Sequence, residues 1–366
     1  MQGLAAIAVA RDAPFRFADV TLDPPRPDEV QVRIVSAGIC HTDLSAKDEL
    51  LGIPLPMVLG HEGAGVVEAV GSSVRHVRAG DHVVLSGASC GICRNCHSGL
   101  PSYCDEFVAR NMTGLRVDGT TPMCLDGEPL PGLFCGQSSF ATRVVVQART
   151  AVKIDPAMPL DIAGPIGCAL VTGVGTVQNA LKPRPGSCIA IFGVGAVGLS
   201  AVLGARLCGA ERIIAIDPQA ARLDIARSLG ATDCLAPDAD LVARVRELTR
   251  GGADYVVECS GNPAAIEQAI AVLATPGWSA QVGAPPVGTH VRLDVGAVGF
   301  GRGVRGVVLG EANPQTYVPY LVALHLRGEL PFDRFVTAYA FADIDRAVAD
   351  AQTGAVVKPV LRMPGV

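Results

Sequence analysis

The sequence predicts an α/β protein in which a doubly wound parallel sheet is joined to a β-rich unit. Three observations predict it. Short strands bounded by turn residues fill the first 150 positions, and strands alternate with helices from about residue 160. A glycine-rich turn at 193–198 stands between one such strand and helix. The 366 residues suffice for two domains, at roughly 150 residues each. With 49% hydrophobic and 18% charged residues the chain can bury a large core. A disordered chain shows the reverse balance.

In the first unit, residues 29–35 alternate in polarity and 63–70 form a β-branched run closed by Gly71. A strand at 81–85 follows a turn at Gly80, and 140–147 is another. The 42 glycines and 26 prolines show no period and supply turns. Such spacing suits a small barrel or sandwich. Beyond residue 160 a helix at 169–181 is stopped by Pro183, and a buried strand follows at 187–192. Helix 196–207, strand 212–217, helix 219–229, strand 254–259, helix 263–273 and strand 279–282 continue the series. That alternation defines βαβ units on a parallel sheet. From about Gly310 the character is mixed again, with helices at 317–327 and 344–353.

Charge and apolar runs exclude several functions. Thirty basic against 35 acidic residues give a net charge of −5 and an isoelectric point near 5.8. That balance disfavours broad binding to nucleic acid or an anionic membrane. The uncharged stretches 162–181 and 185–205 approach the length of a membrane span. Five glycines interrupt the second, and Pro165 and polar residues break the first. Residues 1–11 lack a basic start, a long apolar run and a cleavage site. The expectation is a cytoplasmic protein.

The strand before residue 193 runs into Gly193-Val194-Gly195-Ala196-Val197-Gly198, which opens a helix. The first glycine permits a tight turn, the second lets backbone approach a pyrophosphate, and the third lets helix and strand pack closely. Asp217 ends the next strand, at the position beyond Gly198 where such folds carry a ribose-binding acid. Its carboxylate can accept both ribose hydroxyls and would repel a 2′-phosphate, which favours NAD over NADP. The competing reading is a glycine turn in an unliganded sheet. Gly173 and Gly175 lie inside a helix and read as packing residues.

Cys90-x2-Cys93-x2-Cys96-x7-Cys104 gathers four of the twelve cysteines into one short segment. Four thiolates close a tetrahedral zinc shell with no open position, so the site is structural. An iron–sulfur cluster is the main competing metal reading. His97 is not needed to complete the shell. The cysteine count suits metal binding in a reducing compartment better than a disulfide framework. Cys124, Cys135, Cys188, Cys208, Cys234 and Cys259 lack ligand spacing and read as small buried hydrophobes.

Cys40, His61-Glu62 and Cys168 are unremarkable singly, and spacing alone does not join them. However, Gly60-His61-Glu62-x2-Gly65-x5-Gly71 resembles the signature of zinc-containing medium-chain alcohol dehydrogenases. Cys40-His41-Thr42-Asp43 upstream, the four-cysteine loop, Cys168 and the glycine loop with Asp217 follow that family's order over essentially the whole chain. Segments 134–145 and 167–181 are most similar to the bacterial aryl-alcohol (benzyl alcohol) dehydrogenase branch.

The resemblance implies a GroES-like β-rich catalytic domain at 1–169 and 308–366, and a Rossmann NAD-binding domain at 170–307. The active site is expected in the cleft between them. It implies a catalytic zinc on Cys40, His61 and Cys168 with one position open, besides the structural zinc on Cys90, Cys93, Cys96 and Cys104. A zinc Lewis acid there would ease loss of the alcohol proton, so that hydride passes to the nicotinamide. Glu62 matches an acid that lies behind the zinc, and Asp43 one that orients the histidine ligand. Thr42 matches the hydroxyl that takes the alcohol proton. Ser45 stands where many relatives place a histidine ending the relay, and it cannot act as a base at pH 7. His41 and Lys358 match cations near the pyrophosphate, although a solvated lysine is the bland alternative for Lys358. Leu51, Ser86 and Phe134 are in segments that can line the substrate pocket or simply pack.

The expected activity is NAD-linked, reversible oxidation of primary aromatic or allylic alcohols such as benzyl alcohol or geraniol. The partners expected are an alcohol or aldehyde and further copies of the chain, as homodimer or homotetramer, with 304–309 as a pairing run. Alternatives are a thiol-adduct formaldehyde-type dehydrogenase or a non-catalytic zinc-binding protein. The complete ligand set and the acidic balance argue against the latter.

Overall fold

The structure, a computed structural model, describes residues 1–365. Two compact units divide the chain: Met1–Cys168 with the segment from Asn313 onward, and Ala169–Ala312.

The second unit is built on six parallel strands. Their spatial order is Asp233–Leu235, Arg212–Ile216, Cys188–Phe192, Ala253–Glu258, Leu273–Gln281 and Arg302–Gly306. Counted along the chain this is 3-2-1-4-5-6, the doubly wound order whose switch point falls between the first and fourth strands. Ile189, Ala190 and Ile191 are fully buried, as a strand covered on both faces must be. The uncharged run 185–205 is resolved into strand Cys188–Phe192, a turn and helix Ala196–Leu207. Among the described residues no single helix is long and apolar enough to cross a membrane.

The expected helix 169–181 is instead an α-helix, Ala169–Gly175, continued by a π segment, Thr176–Leu181, with Lys182 left-handed at its end. Gly173 and Gly175 do act as packing residues. A Cβ on Gly173 would lie 2.2 Å from the Val197 carbonyl oxygen, and one on Gly175 2.9 Å from that of Gly310. Patterning passes over the short strand Asp233–Leu235 and helix Leu241–Leu248, although Leu241, Val242, Val245 and Leu248 of the latter do recur at helical spacing. Of the run 304–309, residues 304–306 lie in edge strand Arg302–Gly306 and Leu309 opens the short helix Leu309–Glu311.

The first unit carries two sheets. In the larger, Glu29–Gly38 pairs with Glu62–Val70, Arg143–Gln147 and Lys358–Arg362. His82–Leu85 extends the sheet beyond Glu62–Val70. Sequence alternation at 29–35 suggests one wet face, yet nine of the ten residues of Glu29–Gly38 are buried. The reason is its central position: Gln31 stays inside by donating to Glu68 at 2.9 Å. Val32, Ile34, Val67, Leu85, Phe134, Phe140 and Val144 share one core. The ends of these central strands bring residues 38, 62 and 358 together. Gly38 lies opposite both Glu62 and Val360.

Candidate active site

Asp43 organises one side of the site. Cys40 is the extended residue before helix His41–Lys47, and its N–H donates to Asp43 Oδ2 at 2.9 Å, closing the first helical turn. Asp43 Oδ1 accepts from Gly60 N–H at 3.1 Å and from His61 Nδ1 at 2.8 Å. A single buried carboxylate therefore ties the helix start to the turn that presents His61. Its bond to Nδ1 fixes the tautomer and leaves Nε2 for a metal. Gly60 permits this turn with φ +93°, where a Cβ would strike Phe140 at 2.5 Å.

Glu62 points into the same interior and is fully buried. Lys358 donates to its two oxygens at 2.9 and 3.0 Å and to the Ile39 carbonyl at 2.9 Å. All three ammonium hydrogens thus have partners, and Lys358 is itself 2% exposed. Lys358 is accordingly not a solvated lysine, and the charge that the resemblance sets near the pyrophosphate is directed by burial to Glu62. Burial alone would lower the Lys358 pKa, but the Glu62 carboxylate outweighs it and holds the ammonium above its ordinary range. Burial pushes the Glu62 carboxyl up, with Lys358 opposing. Two small residues make the room, since a Cβ on Gly38 would lie 2.0 Å from Glu62 Oε2 and one on Gly164 2.2 Å from Glu62 O.

Cys168 follows the short helix Gly164–Gly167. Ser86, considered from sequence as a pocket residue, donates to Gly167 O at 2.8 Å and so anchors the backbone before Cys168. Donor atoms of Cys40, His61, Glu62 and Cys168 lie within 4.8 Å of one another. A hydrogen bond from the Cys168 thiol holds the Cys40 pKa well below its ordinary value, and the same bond raises that of Cys168. Two neighbouring sulfurs beside one oriented imidazole suit a zinc ion, which takes both as thiolates. Thr42 Oγ1 lies 3.9 Å from Cys40 Sγ, while His41 is exposed and Ser45 half-buried.

Residues 134–140 cover the opposite side of His61. The Phe134 ring meets the imidazole edge-on at 5.8 Å. Gln137, which sequence reasoning missed, is fully buried and bonded to the backbone on both sides of Glu62. Its polar neighbours Ser138 and Ser139 between two phenylalanines were the available signal. Leu51 is half-buried and packs against the core.

Cys90, Cys93, Cys96 and Cys104 form the second cluster, again within 4.8 Å. Backbone N–H groups of Ile92 and Cys93 donate to Cys90 Sγ at 3.4 and 3.3 Å, and that of Cys90 to Cys104 Sγ at 3.2 Å. A backbone N–H from Asp105 lowers the Cys93 thiol to about 6, whereas burial raises Cys104 to about 12. Four converging sulfurs of such unequal acidity fit a cation that ionises them all.

In the second unit Gly193 has φ +78°, as the tight turn requires. A Cβ on Gly198 would lie 2.0 Å from the Gly193 carbonyl oxygen, whereas one on Gly195 would meet no atom within 4 Å. The open face at Gly195 and the helix start behind it fit a pyrophosphate. Asp217 Oδ2 accepts from Val194 N–H and Oδ1 from Gln219 N–H, both at 2.9 Å. The acid thus also braces the loop, a role sequence did not suggest. Arg222, another residue missed, comes within 3.9 Å of Asp217 because helix Ala220–Leu229 brings it back one turn later.

A doubly wound sheet with a glycine loop, a buried Cys40–His61–Glu62–Cys168 cluster and a four-cysteine cluster are the features of a zinc dehydrogenase. Residues 26–156 match the alcohol dehydrogenase GroES-like domain and residues 196–325 the zinc-binding dehydrogenase domain. The chain is 43% identical to geraniol dehydrogenase of Castellaniella defragrans (strain DSM 12143 / CCUG 39792 / 65Phen), over 98% of this chain and 96% of that protein. Benzyl alcohol dehydrogenase from Acinetobacter calcoaceticus superposes with a TM-score of 0.96 at 40% identity, covering 99% of each chain. An alcohol dehydrogenase zinc-binding domain protein from Burkholderia ambifaria superposes at 0.97 with 46% identity, over 100% of this chain and 99% of that one. The chain belongs to the zinc-containing alcohol dehydrogenase family, and it is related to the aryl-alcohol branch.

Proposed function

We propose that the chain oxidises primary aromatic or allylic alcohols to aldehydes, reversibly, with NAD as hydride acceptor. The reading is supported by the similarity over nearly the full length to both a geraniol and a benzyl alcohol dehydrogenase. Each name denotes a primary alcohol whose carbinol carbon adjoins an sp² carbon. The observation that carries the reaction itself is the oriented Cys40–His61–Cys168 set. A zinc ion bound there supplies Lewis acidity that lowers the pKa of a hydroxyl at the open position to near 7.

The remaining work falls to side chains. Asp43 holds His61 in the tautomer that presents Nε2. Thr42 accepts the alcohol proton at Oγ1 beside Cys40. One helical turn on, Ser45 shares that face but has no basic nitrogen, so proton release passes to water, to a ribose hydroxyl or to His41. His41, exposed at the helix start, would when neutral hold the cofactor phosphates less firmly than an arginine. Asp217 would accept from the adenosine ribose and repel a 2′-phosphate, favouring NAD, with Arg222 at 3.9 Å tempering that repulsion.

The reading includes assembly with a second copy and residence in a reducing cytoplasm. Strand Arg302–Gly306 is the open edge of its sheet, flanked by Trp278, Phe300 and Val304 at 49%, 76% and 40% exposure. An unpaired edge with apolar neighbours suits pairing with its own copy in a homodimer or homotetramer. All twelve cysteines are free.

The test is NADH formation with benzyl alcohol, geraniol and ethanol, repeated with NADP. Fast turnover of benzyl alcohol or geraniol with NAD and little of ethanol is expected. Preference for NADP would remove the role given to Asp217. No turnover of any alcohol by zinc-replete protein would redirect the assignment to thiol adducts of formaldehyde.

A further inference from the structure

The amide of Gln137 makes two backbone bonds on either side of one residue. Its Nε2 donates to His61 O at 2.8 Å, and its Oε1 accepts from Gly63 N–H at 3.0 Å. Only this orientation of the amide works, because the flipped one would set oxygen against oxygen and N–H against N–H. Both bonds are buried, and Gln137 has no exposed surface. Gly63 permits the approach, since a Cβ there would lie 3.2 Å from Gln137 Oε1 and 2.8 Å from Ser139 Cβ.

We propose that Gln137 is a positioning residue that fixes the direction of both the His61 imidazole and the Glu62 carboxylate. Gln137 grips the His61 carbonyl and the Gly63 N–H, so the two peptide planes bounding Glu62 cannot rotate independently. Asp43 fixes the imidazole from its side-chain end, and Gln137 fixes the same residue from its backbone end. Lys358 fixes the Glu62 carboxylate, and Gln137 fixes its main chain. Removing the amide takes two bonds from those peptide planes, leaving strand pairing with residues 37–38 on one side only, and touches no donor atom of the cluster. Gln137 itself is held by tight backbone geometry: Gly136 N–H donates to Leu133 O at 2.8 Å and Gln137 N–H to Phe134 O at 3.0 Å. The segment carries left-handed backbone at Cys135, Gly136 and Ser138. A side chain mounted on so constrained a turn has one place to go.

The inference rests on the reading that Cys40, His61 and Cys168 hold zinc, and its test separates the two. Gln137→Met removes both bonds at similar volume, and Gln137→Asn keeps the amide but shortens it. Metal release to a chelator is followed in the full chain, together with the visible spectrum of cobalt-substituted protein. Gln137→Met is expected to release metal from the His61 site about 10-fold faster or more, with altered cobalt bands. The four-cysteine site should be unchanged. Gln137→Asn should show the same change to a smaller degree, and it carries the test alone if the first variant does not fold. A variant that folds, loses only thermal stability and keeps the parent's release rate and bands overturns the assignment of Gln137 alone. A parent that holds metal only in the four-cysteine loop overturns the zinc-site reading and this inference with it.

Discussion

The two metal clusters of this chain are built on opposite plans. Cys90, Cys93, Cys96 and Cys104 lie close together in the chain on a surface loop, and three of the four are only half-buried. Their geometry is set by local turns and backbone N–H to sulfur bonds. Cys40, His61, Glu62 and Cys168 come from segments far apart, converging where central strands end. Around them Asp43, Glu62 and Lys358 are all at most 2% exposed. The loop asks little of the rest of the fold and has no position to offer a substrate. The buried site brings its donors together only because several elements hold them from outside. A donor cluster assembled from distant segments thus needs long-range organisation that one carried on a single loop does not.

The strongest way to break that comparison is to remove the buried cation. Lys358→Met leaves the Glu62 carboxylate inside with no countercharge, and unfolding should become easier by about 3–5 kcal/mol. Adding Glu62→Leu should restore much of the loss, because the apolar pair needs no charge balance. Lys358→Arg tests shape rather than charge. Urea denaturation of zinc-loaded protein reads all three. The sign with pH follows from the raised ammonium. Its stabilisation is complete below the ordinary lysine value of 10.5 and declines as pH rises above it. If Lys358→Met unfolds at the parent's urea midpoint, the buried site is no more demanding than the loop.

Removing one orienting group from each cluster sharpens the contrast at a smaller scale. Asp43→Asn can still accept from a backbone N–H, but it loses the charge that holds His61. Metal at that site should bind or act about 10–100-fold less well, with the loop's metal retained. Cys93→Ser should do the reverse, releasing the loop's metal and exposing 90–104 to protease while the His61 site keeps its metal. Metal content and limited proteolysis of the same samples decide the matter. Loss of both metals in either variant would show that the clusters are not independent.

Legibility in the sequence follows the same division. The cysteine loop and Gly193–Gly198 are readable because each is encoded in one short segment, and the parallel sheet because its strands and helices alternate. Cys40, His61 and Cys168 are reached through the family's pattern of motifs, since no spacing rule joins residues so far apart. Contacts that no motif marks stay hidden. Lys358 pairs with Glu62 across 296 positions, and Gln137 with His61 across 76. A single lysine within the apolar stretch 356–361 is a usable sign, because a strand buried on both faces admits a charge only with a partner. Gln137 gives weaker notice, because a buried amide that pairs with backbone leaves no compositional trace.

The smallest expected effect concerns Ser45, where this chain departs from the relay that the family pattern implies. Thr42 and Ser45 are three residues apart on helix His41–Lys47 and so share a face. A serine hydroxyl passes a proton but does not store one, so the parent's kcat should show no limb from this position between about pH 5.5 and 8. Ser45→His introduces a group with an ordinary pKa of about 6.5. Below that value the imidazole is already protonated and cannot accept, so the variant's rate should fall on acidification through that range. Above it the rate should match or exceed the parent's. Comparison of the two pH–rate profiles with saturating alcohol and NAD checks this. Superimposable profiles would mean that the proton leaves by a route that never reaches position 45, and His41 or the ribose would be the group to vary next.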